Sequence, residues 1–399
     1  MNRFMKKLFL LSFILLFSFS FAQQKTLFVE KNYDVALKDS KLQKKPIIIM
    51  FFATWCEHCK KMKESILVDN ELINFYTTNY VCMGIDAESQ SGIDLKAKLQ
   101  DKFKLKSYPT FVFLDSSENL LSCISGEFKK EDFINEGKNA LIPENQFNTI
   151  KTAFNTDASN PDKCLKFITA ARKAGFDATP ITQKYLSTKT KEELFSELNW
   201  RIIANGINDI SAPEISYIIA NKEAFAKVSS ATRVDKKLIF TAADNLKPLA
   251  EASDTLSYYK KRPIAESFKI RKVDSLLFRY DLLISERTSN WKNYKKASEL
   301  NVDKFLLKDS NSLIEICTNY LAFISDKKGI ENAINWTKQS IIIGETLEKY
   351  TLLSKLYSKQ KDYNNALQYA EKGKVLATNL GWKTNEIDQL ISEIKKTLK

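Results

Sequence analysis

Pro46-Ile47-Ile48-Ile49-Met50-Phe51-Phe52-Ala53-Thr54-Trp55-Cys56-Glu57-His58-Cys59-Lys60 joins an unbroken apolar run to a pair of cysteines. The run Ile47 to Phe52 reads as a strand buried on both faces. Lys60 to Leu67 has the composition of a helix. The dithiol therefore falls where a core strand hands over to a helix. Residues three apart on a helix share a face, so Cys56 and Cys59 are within disulfide reach. Cys56 is placed at the helix N-terminus, where unpaired N–H groups and the dipole favour an anion. Cysteine pKa values in such settings fall to roughly 3.5–7.5, and the thiolate is the attacking form in disulfide exchange. Cys56 is thus the expected exposed nucleophile. Cys59, one turn further in, suits the resolving role.

The two intervening residues are the candidate pKa-tuning pair, and they pull in opposite directions. A protonated His58 stabilises the Cys56 thiolate, whereas the Glu57 carboxylate opposes it. Two other readings of the motif fare poorly. Zinc wants four ligands, but His58 is the only histidine and no second CxxC exists, so no metal is expected. A purely structural disulfide at this spacing closes too small a loop to stabilise much.

At 399 residues the chain calls for two or three domains. Only 10 glycines and 8 prolines favour helix over an all-β architecture. The net charge of +13 is mostly lysine scattered along helical stretches beside acidic residues, without an arginine-rich block. A solvated surface explains it, and no nucleic-acid partner is expected. Residues 1–22 carry Arg3, Lys6 and Lys7, then the apolar Leu8 to Phe19, then Ser20-Phe21-Ala22. This is the pattern of a secretory signal peptide cleaved after Ala22, and the apolar run is short for a membrane span. The expected location is periplasmic or secreted, with membrane contact only if the signal stays uncleaved. Outside the cytosol disulfides persist. The four other cysteines, Cys82, Cys123, Cys164 and Cys317, are widely spaced and read as mostly buried thiols, with a Cys164–Cys317 bridge as the alternative.

From Gln23 to about Glu144 the pattern is helix (Asp34–Gln43), strand (Ile47–Phe52), the dithiol helix, a segment Glu71–Tyr76 capped by Asp69 or Asn70, strand (Tyr80–Asp86), helix (Ile93–Phe103), strand (Thr110–Leu114), strand (Leu120–Ile124) and helix (Lys129–Leu141). That is an α/β domain whose sheet carries an antiparallel hairpin at one edge.

The strand followed by Ala-Thr-Trp-Cys-x-x-Cys-Lys, then Ile85-Asp86, Ser107-Tyr108-Pro109-Thr110-Phe111-Val112-Phe113 and Gly126, resembles the thioredoxin superfamily over roughly Thr26 to Ile142. It looks most like its secreted bacterial members. The resemblance implies Cys56 as nucleophile and Cys59 as resolving thiol. It makes Pro109 the cis-proline opposite the dithiol, and Trp55, Tyr108, Pro109 and Thr110 the substrate-binding residues. It implies no cofactor. Cysteine-containing protein substrates and a redox partner of unknown identity are the implied partners. Two departures stand out. The family's buried aspartate, six residues before the nucleophile, is Met50 here, and a lysine on the neighbouring strand is replaced by Cys82. We expect Cys82 beneath the dithiol, as a small buried hydrophobe or with a redox role. Histidine before the second cysteine is similar to disulfide oxidases and isomerases.

Residues 145–310 read as helix after helix: Asp162–Ala174, Lys191–Ala204, Ala212–Val228 and Arg233–Leu246 show three-four apolar spacing. Over 311–399 an ungapped shift of 33 aligns Tyr320 with Leu353, Ala333 with Ala366 and Trp336 with Tyr369. This resembles degenerate tetratricopeptide repeats, with Tyr294-x-x-Ala297 as an earlier remnant. Ile387, Leu390, Ile391, Ile394 and Leu398 form one stripe suited to a capping helix. The expected architecture is 1–22 signal, 23–144 thioredoxin-like α/β, 145–310 helical and 311–399 repeat-like. The expected function is a thiol–disulfide oxidoreductase, its direction (reductase, isomerase or oxidase) open. The alternative is a non-catalytic interaction scaffold built on the helices.

Overall fold

The computed structural model describes residues 26–398; the expected signal peptide lies outside them. The chain divides into two units at Asn208/Asp209. In the first, α1 (Tyr33–Gln43) is capped by the Asn32 side chain and leads into β1 (Ile47–Phe52). There follow α2 (Glu57–Lys61), continued by a π turn over Met62–Ile66, and α3 (Asn70–Asn79), capped by Asp69. Next come β2 (Val81–Asp86), α4 (Gln90–Lys98), β3 (Thr110–Leu114), β4 (Leu120–Ser125) and α5 (Lys130–Leu141). The sheet order is β2-β1-β3-β4, with β1/β2 parallel and the other pairs antiparallel.

All six residues of β1 are buried because both faces of the sheet are covered. Side chains alternate across a strand. Ile48, Met50 and Phe52 accordingly enter one core with Met62 of the π turn, Tyr76 of α3 and Phe133 of α5. Ile47, Ile49 and Phe51 enter a second with Ala36 of α1 and Leu95 of α4. The first core is tied together by polar tips as well as burial. Tyr76 and Tyr80 donate their hydroxyls to the backbone carbonyls of Phe133 and Gly137, at 2.6 and 2.5 Å.

Helices α6 (Phe147–Thr156), α7 (Pro161–Lys173), α8 (Thr179–Leu186) and α9 (Glu197–Gly206) belong to this same unit. Phe147, Ala174 and Phe176 add to the second core, so part of the helical region covers the sheet. The helix expected over 93–103 starts earlier, at Gln90, capped by the Ser89 hydroxyl, and stops at Lys98. The one expected from Lys191 begins only at Glu197, where the Ser196 side chain accepts the Asn199 N–H.

The second unit holds α10 (Pro213–Ala220), α11 (Lys222–Val228), α12 (Ala231–Glu251), α13 (Thr255–Glu266), α14 (Arg271–Arg287) and α15 (Trp291–Phe305). It continues with α16 (Ser310–Phe323), α17 (Lys327–Ile343), α18 (Leu347–Lys359), α19 (Tyr363–Asn379) and α20 (Asn385–Thr397). The single helix expected over 212–228 is two, broken at Asn221, and α12 outruns its expected end by passing through Pro248. Helices α13, α15, α17 and α19 are each N-capped by an Asx side chain, at Asp254, Asn290, Asp326 and Asp362, a spacing of 36 residues. The ungapped shift of 33 therefore pairs residues such as Ala333 and Ala366 about one turn out of step with their caps. An amphipathic helix presents its apolar face again after 3.6 residues, so a slip of one turn still lays apolar on apolar. Ile387, Ile391 and Ile394 of α20 are buried in this unit's core, while Leu398 is exposed.

Candidate active site

The dithiol sits at the C-terminal end of the central strand. Cys56 is the N-cap of α2, with extended backbone (φ −75°, ψ 106°), and its Sγ accepts the Cys59 backbone N–H at 3.1 Å. The orphan amide that a helix start normally presents to a Ser or Asp side chain is here presented to sulfur. Cys56 and Cys59 are joined as a disulfide, their Cα atoms 5.3 Å apart. The expectation of an exposed nucleophile needs correcting: Cys56 is only 5% exposed and Cys59 1%. What separates the two is position. Cys56 lines the adjoining groove and Cys59 does not.

That groove has a volume of about 850 Å³ and runs between the dithiol turn, α4 and the loop from Phe103 to Tyr108. Trp55 is 62% exposed, so it is no core indole. Its Nε1–H donates to Glu88 Oε2 at 2.9 Å, and its ring meets the Tyr108 ring edge-on, centroids 5.8 Å apart. Tyr108 is half-buried, and burial raises the pKa of its hydroxyl. The Tyr108–Pro109 bond is cis. Pro109 and Thr110 are buried and do not line the groove. Pro109 O accepts the Gly126 N–H at 2.8 Å, and the Thr110 hydroxyl donates to Ser107 O and pairs with Ser125 Oγ, both at 2.7 Å. Of the four expected substrate-binding side chains, then, Trp55 and Tyr108 face the groove. Thr110 instead pins the loop that shapes it.

Glu57 and His58 line the rim, and each has its own counter-group. Glu57 Oε1 lies 2.7 Å from Lys60 Nζ, which lowers its pKa. His58 Nδ1 lies 3.0 Å from Glu127 Oε2, with Lys61 Nζ 2.5 Å from the other oxygen. Hydrogen bonds from Lys61 and then His58 hold the Glu127 carboxyl below the usual range. Glu127 thus joins this rim through His58 and Lys61.

Cys82 is not beside Met50. The β1/β2 register pairs Met50 with Gly84 and Cys82 with Ile48. Cys82 does pack on the dithiol-side core, but nearer the start of the strand, away from the Cys56 end. Burial pushes its thiol up to about 12, which suits a small hydrophobe better than a redox group. Cys123, Cys164 and Cys317 are buried free thiols, so the alternative Cys164–Cys317 bridge is not formed.

Residues 33–141 match the family model described as Thioredoxin-like domain. This segment is a thioredoxin-like domain. Among curated proteins, the chain is 35% identical over 78 residues to Thioredoxin-1 of Drosophila melanogaster, covering 20% of this chain and 64% of that protein. It is 31% identical over 106 residues to Thioredoxin 3 of Plasmodium falciparum, covering 25% of this chain and 53% of that one. The chain thus spans less than two-thirds of the length of these relatives. A thioredoxin from Thermus thermophilus is 18% identical, with a TM-score of 0.26, covering 29% of this chain and 88% of that structure.

The thioredoxin-like domain also has groove-lining residues not anticipated from the sequence, Lys96 and the run Lys104 to Ser107, and a partner for the Trp55 indole in Glu88. Lys104 to Ser107 directly precedes the expected Tyr108-Pro109 turn, so their proximity to it was the available signal. Nothing local to Glu88 or Lys96 points to the dithiol, because the β2–α4 connection brings them there.

Proposed function

We propose that the thioredoxin-like domain is a thiol–disulfide oxidoreductase that exchanges electrons with protein cysteines outside the cytosol. The observation that carries this reading is Cys56 Sγ on the groove floor, bonded to Cys59 and capped by its amide. A substrate thiolate attacking Cys56 Sγ breaks the Cys56–Cys59 bond and forms a mixed disulfide. Cys59 leaves as a thiolate and takes up a proton. The second substrate thiolate then attacks the substrate sulfur of that mixed disulfide and releases Cys56 as the thiolate that the helix start favours. The substrate has lost two electrons and the domain has gained them. The same steps reversed reduce a substrate disulfide, so a redox partner that re-oxidises or re-reduces the pair sets the direction. With Met50 where a buried carboxylate would take the proton, solvent or the rim groups fill that role. The basic–apolar–small pattern of residues 1–22 supports export. The hairpins of the second unit, with their 36-residue cap spacing, support a repeat array that recruits the partner or substrate.

Insulin reduction driven by dithiothreitol tests the chemistry. The full chain accelerates it, and Cys56→Ser falls to the uncatalysed rate. Equal rates for the two proteins remove the enzyme reading and leave the scaffold reading. Fractionating cells that express the full chain tests export, which predicts a product shortened by the leader.

A further inference from the structure

We propose that the dithiol groove selects substrate segments carrying acidic side chains beside the reacting cysteine, held by a cationic wall of Lys96, Lys104 and Lys106. The proposal rests on the oxidoreductase reading and adds its substrate class.

The wall is built on a fixed loop. In Lys104-Leu105-Lys106 the middle residue is half-buried against the second core, and the two lysines on either side of it are exposed. Both lysines line the groove, while Leu105 between them packs on that core. The loop is clamped from behind. The Lys104 N–H donates to Ala174 O at 2.7 Å, at the end of α7. Gly175, at φ +78°, lets the backbone pass so close that a Cβ there would lie 2.0 Å from Lys104 O. At the other end the Thr110 hydroxyl holds Ser107 O.

The acids near the dithiol have partners other than this wall: Glu57 pairs with Lys60, Glu127 with Lys61 and His58, and Glu88 accepts from the neutral Trp55 indole and keeps its charge. Among the described residues, Lys96, Lys104 and Lys106 have no acidic partner. Lys104, Lys106 and Ser107 also line a second cleft of about 470 Å³, which continues to Arg172. The Arg172 guanidinium bonds the Asn205 carbonyl and side-chain oxygens, both neutral. A positive strip therefore runs from the groove along one direction of any bound chain. Trp55, Phe103 and Tyr108 supply an apolar stretch beside it. The matching ligand is an extended polypeptide with apolar contacts near its cysteine and carboxylates further along.

Exposed charges act weakly in pairs. Several of one sign along a groove raise the encounter rate and make it salt-dependent. The preference should therefore appear in kcat/KM.

The test uses the full chain and two short peptide disulfides, identical except that glutamates flank the cysteines in one and lysines in the other. The readout is the ratio of kcat/KM for the acidic peptide to that for the basic one, which each protein variant supplies as its own control. The expected ratio is about tenfold in low salt, falling severalfold in 0.5 M salt as screening shortens the Debye length to a few ångströms. Lys104→Gln/Lys106→Gln brings the ratio close to one, and Lys104→Glu/Lys106→Glu inverts it. A wild-type ratio near one, or a ratio that charge reversal leaves unmoved, overturns the proposal. Turnover of the small uncharged 2-hydroxyethyl disulfide by the wild-type protein separates the two readings. If it is absent, the oxidoreductase assignment has failed, and fluorescence anisotropy of the two labelled peptides on the oxidised protein then decides the charge preference by itself.

Discussion

The Cys59 backbone amide donates to Cys56 Sγ across 3.1 Å at the first turn of α2. A thiolate accepts such a bond more strongly than a thiol does, so reduction of the pair leaves Cys56 with a ready anion site. We predict that in the reduced protein Cys56 alkylates with a midpoint well below the roughly 8.5 of a free cysteine. The stabilisation of the thiolate is present above that lowered midpoint and disappears as pH falls through it. Iodoacetamide labelling from pH 4 to 9, read by mass spectrometry, checks this. An ordinary midpoint, or no labelling of Cys56, counts against the mechanism.

Glu127 links Lys61 and His58 on the rim, and its carboxyl is held below the usual range by Lys61 first and His58 second. A carboxyl lowered in the folded state adds stability above its unfolded pKa of about 4.3 and loses it as pH falls through the folded value. Glu127→Gln should therefore be less stable than wild type at pH 7, with the gap closing towards pH 3. Urea unfolding at the two pH values measures it, and a gap that is constant or widens in acid contradicts the assignment.

Thr110 sits beneath the groove, its hydroxyl bonded to Ser107 O and Ser125 Oγ. Thr110→Val keeps the shape and removes both bonds. The expected cost is about 0.5–1.5 kcal/mol per bond, the net worth of a hydrogen bond, because Ser107 and Ser125 are exposed and turn to water instead. Because the Ser107 loop then loosens, KM for a protein disulfide should rise more than kcat falls. Denaturant midpoints and steady-state kinetics test the two halves separately.

In the second unit, Asp281 of α14 takes two guanidinium bonds from Arg262 of α13, Nε to Oδ1 at 2.8 Å and Nη2 to Oδ2 at 2.7 Å. It also accepts the Tyr258 hydroxyl at 2.8 Å. Asp281→Ala leaves Arg262 with only its Glu266 bond and Tyr258 with only a long bond to Leu277 O. Breaking a fully buried pair costs about 3–5 kcal/mol, and with side-chain exposures of 24% and 13% the loss should sit at or below the low end of that range. Thermal unfolding of the full chain should show a lowered transition, and an unchanged melting profile would refute this.

The run Ile47–Phe52, the Cys56/Cys59 pair and the Thr110–Leu114 strand were legible in the sequence at the residues where they occur, because each is a local pattern. Six consecutive apolar residues have few stable settings other than a two-sided core, and a dithiol after them marks the turn into a helix. The first helix was legible for the same reason, whereas the next cap was narrowed only to Asp69 or Asn70, and it is Asp69. Less was visible where packing overrules periodicity. The 33-residue shift matched apolar faces, whereas the helix caps recur every 36 residues, and only assembled hairpins reveal that difference.

By itself the sequence determined the order of elements in the first domain, the position of the dithiol between strand and helix, and the helical character of the chain beyond residue 145. These depend on side chains a few residues apart. The tertiary structure decided that Cys56 lies on a groove floor, that Thr110 is a brace, and that Cys82 pairs with Ile48. It also decided that Lys96, Lys104 and Lys106 face the same groove. Strand register, the covering of a face and the meeting of charges from distant segments depend on how the chain closes on itself, which short-range pattern does not encode.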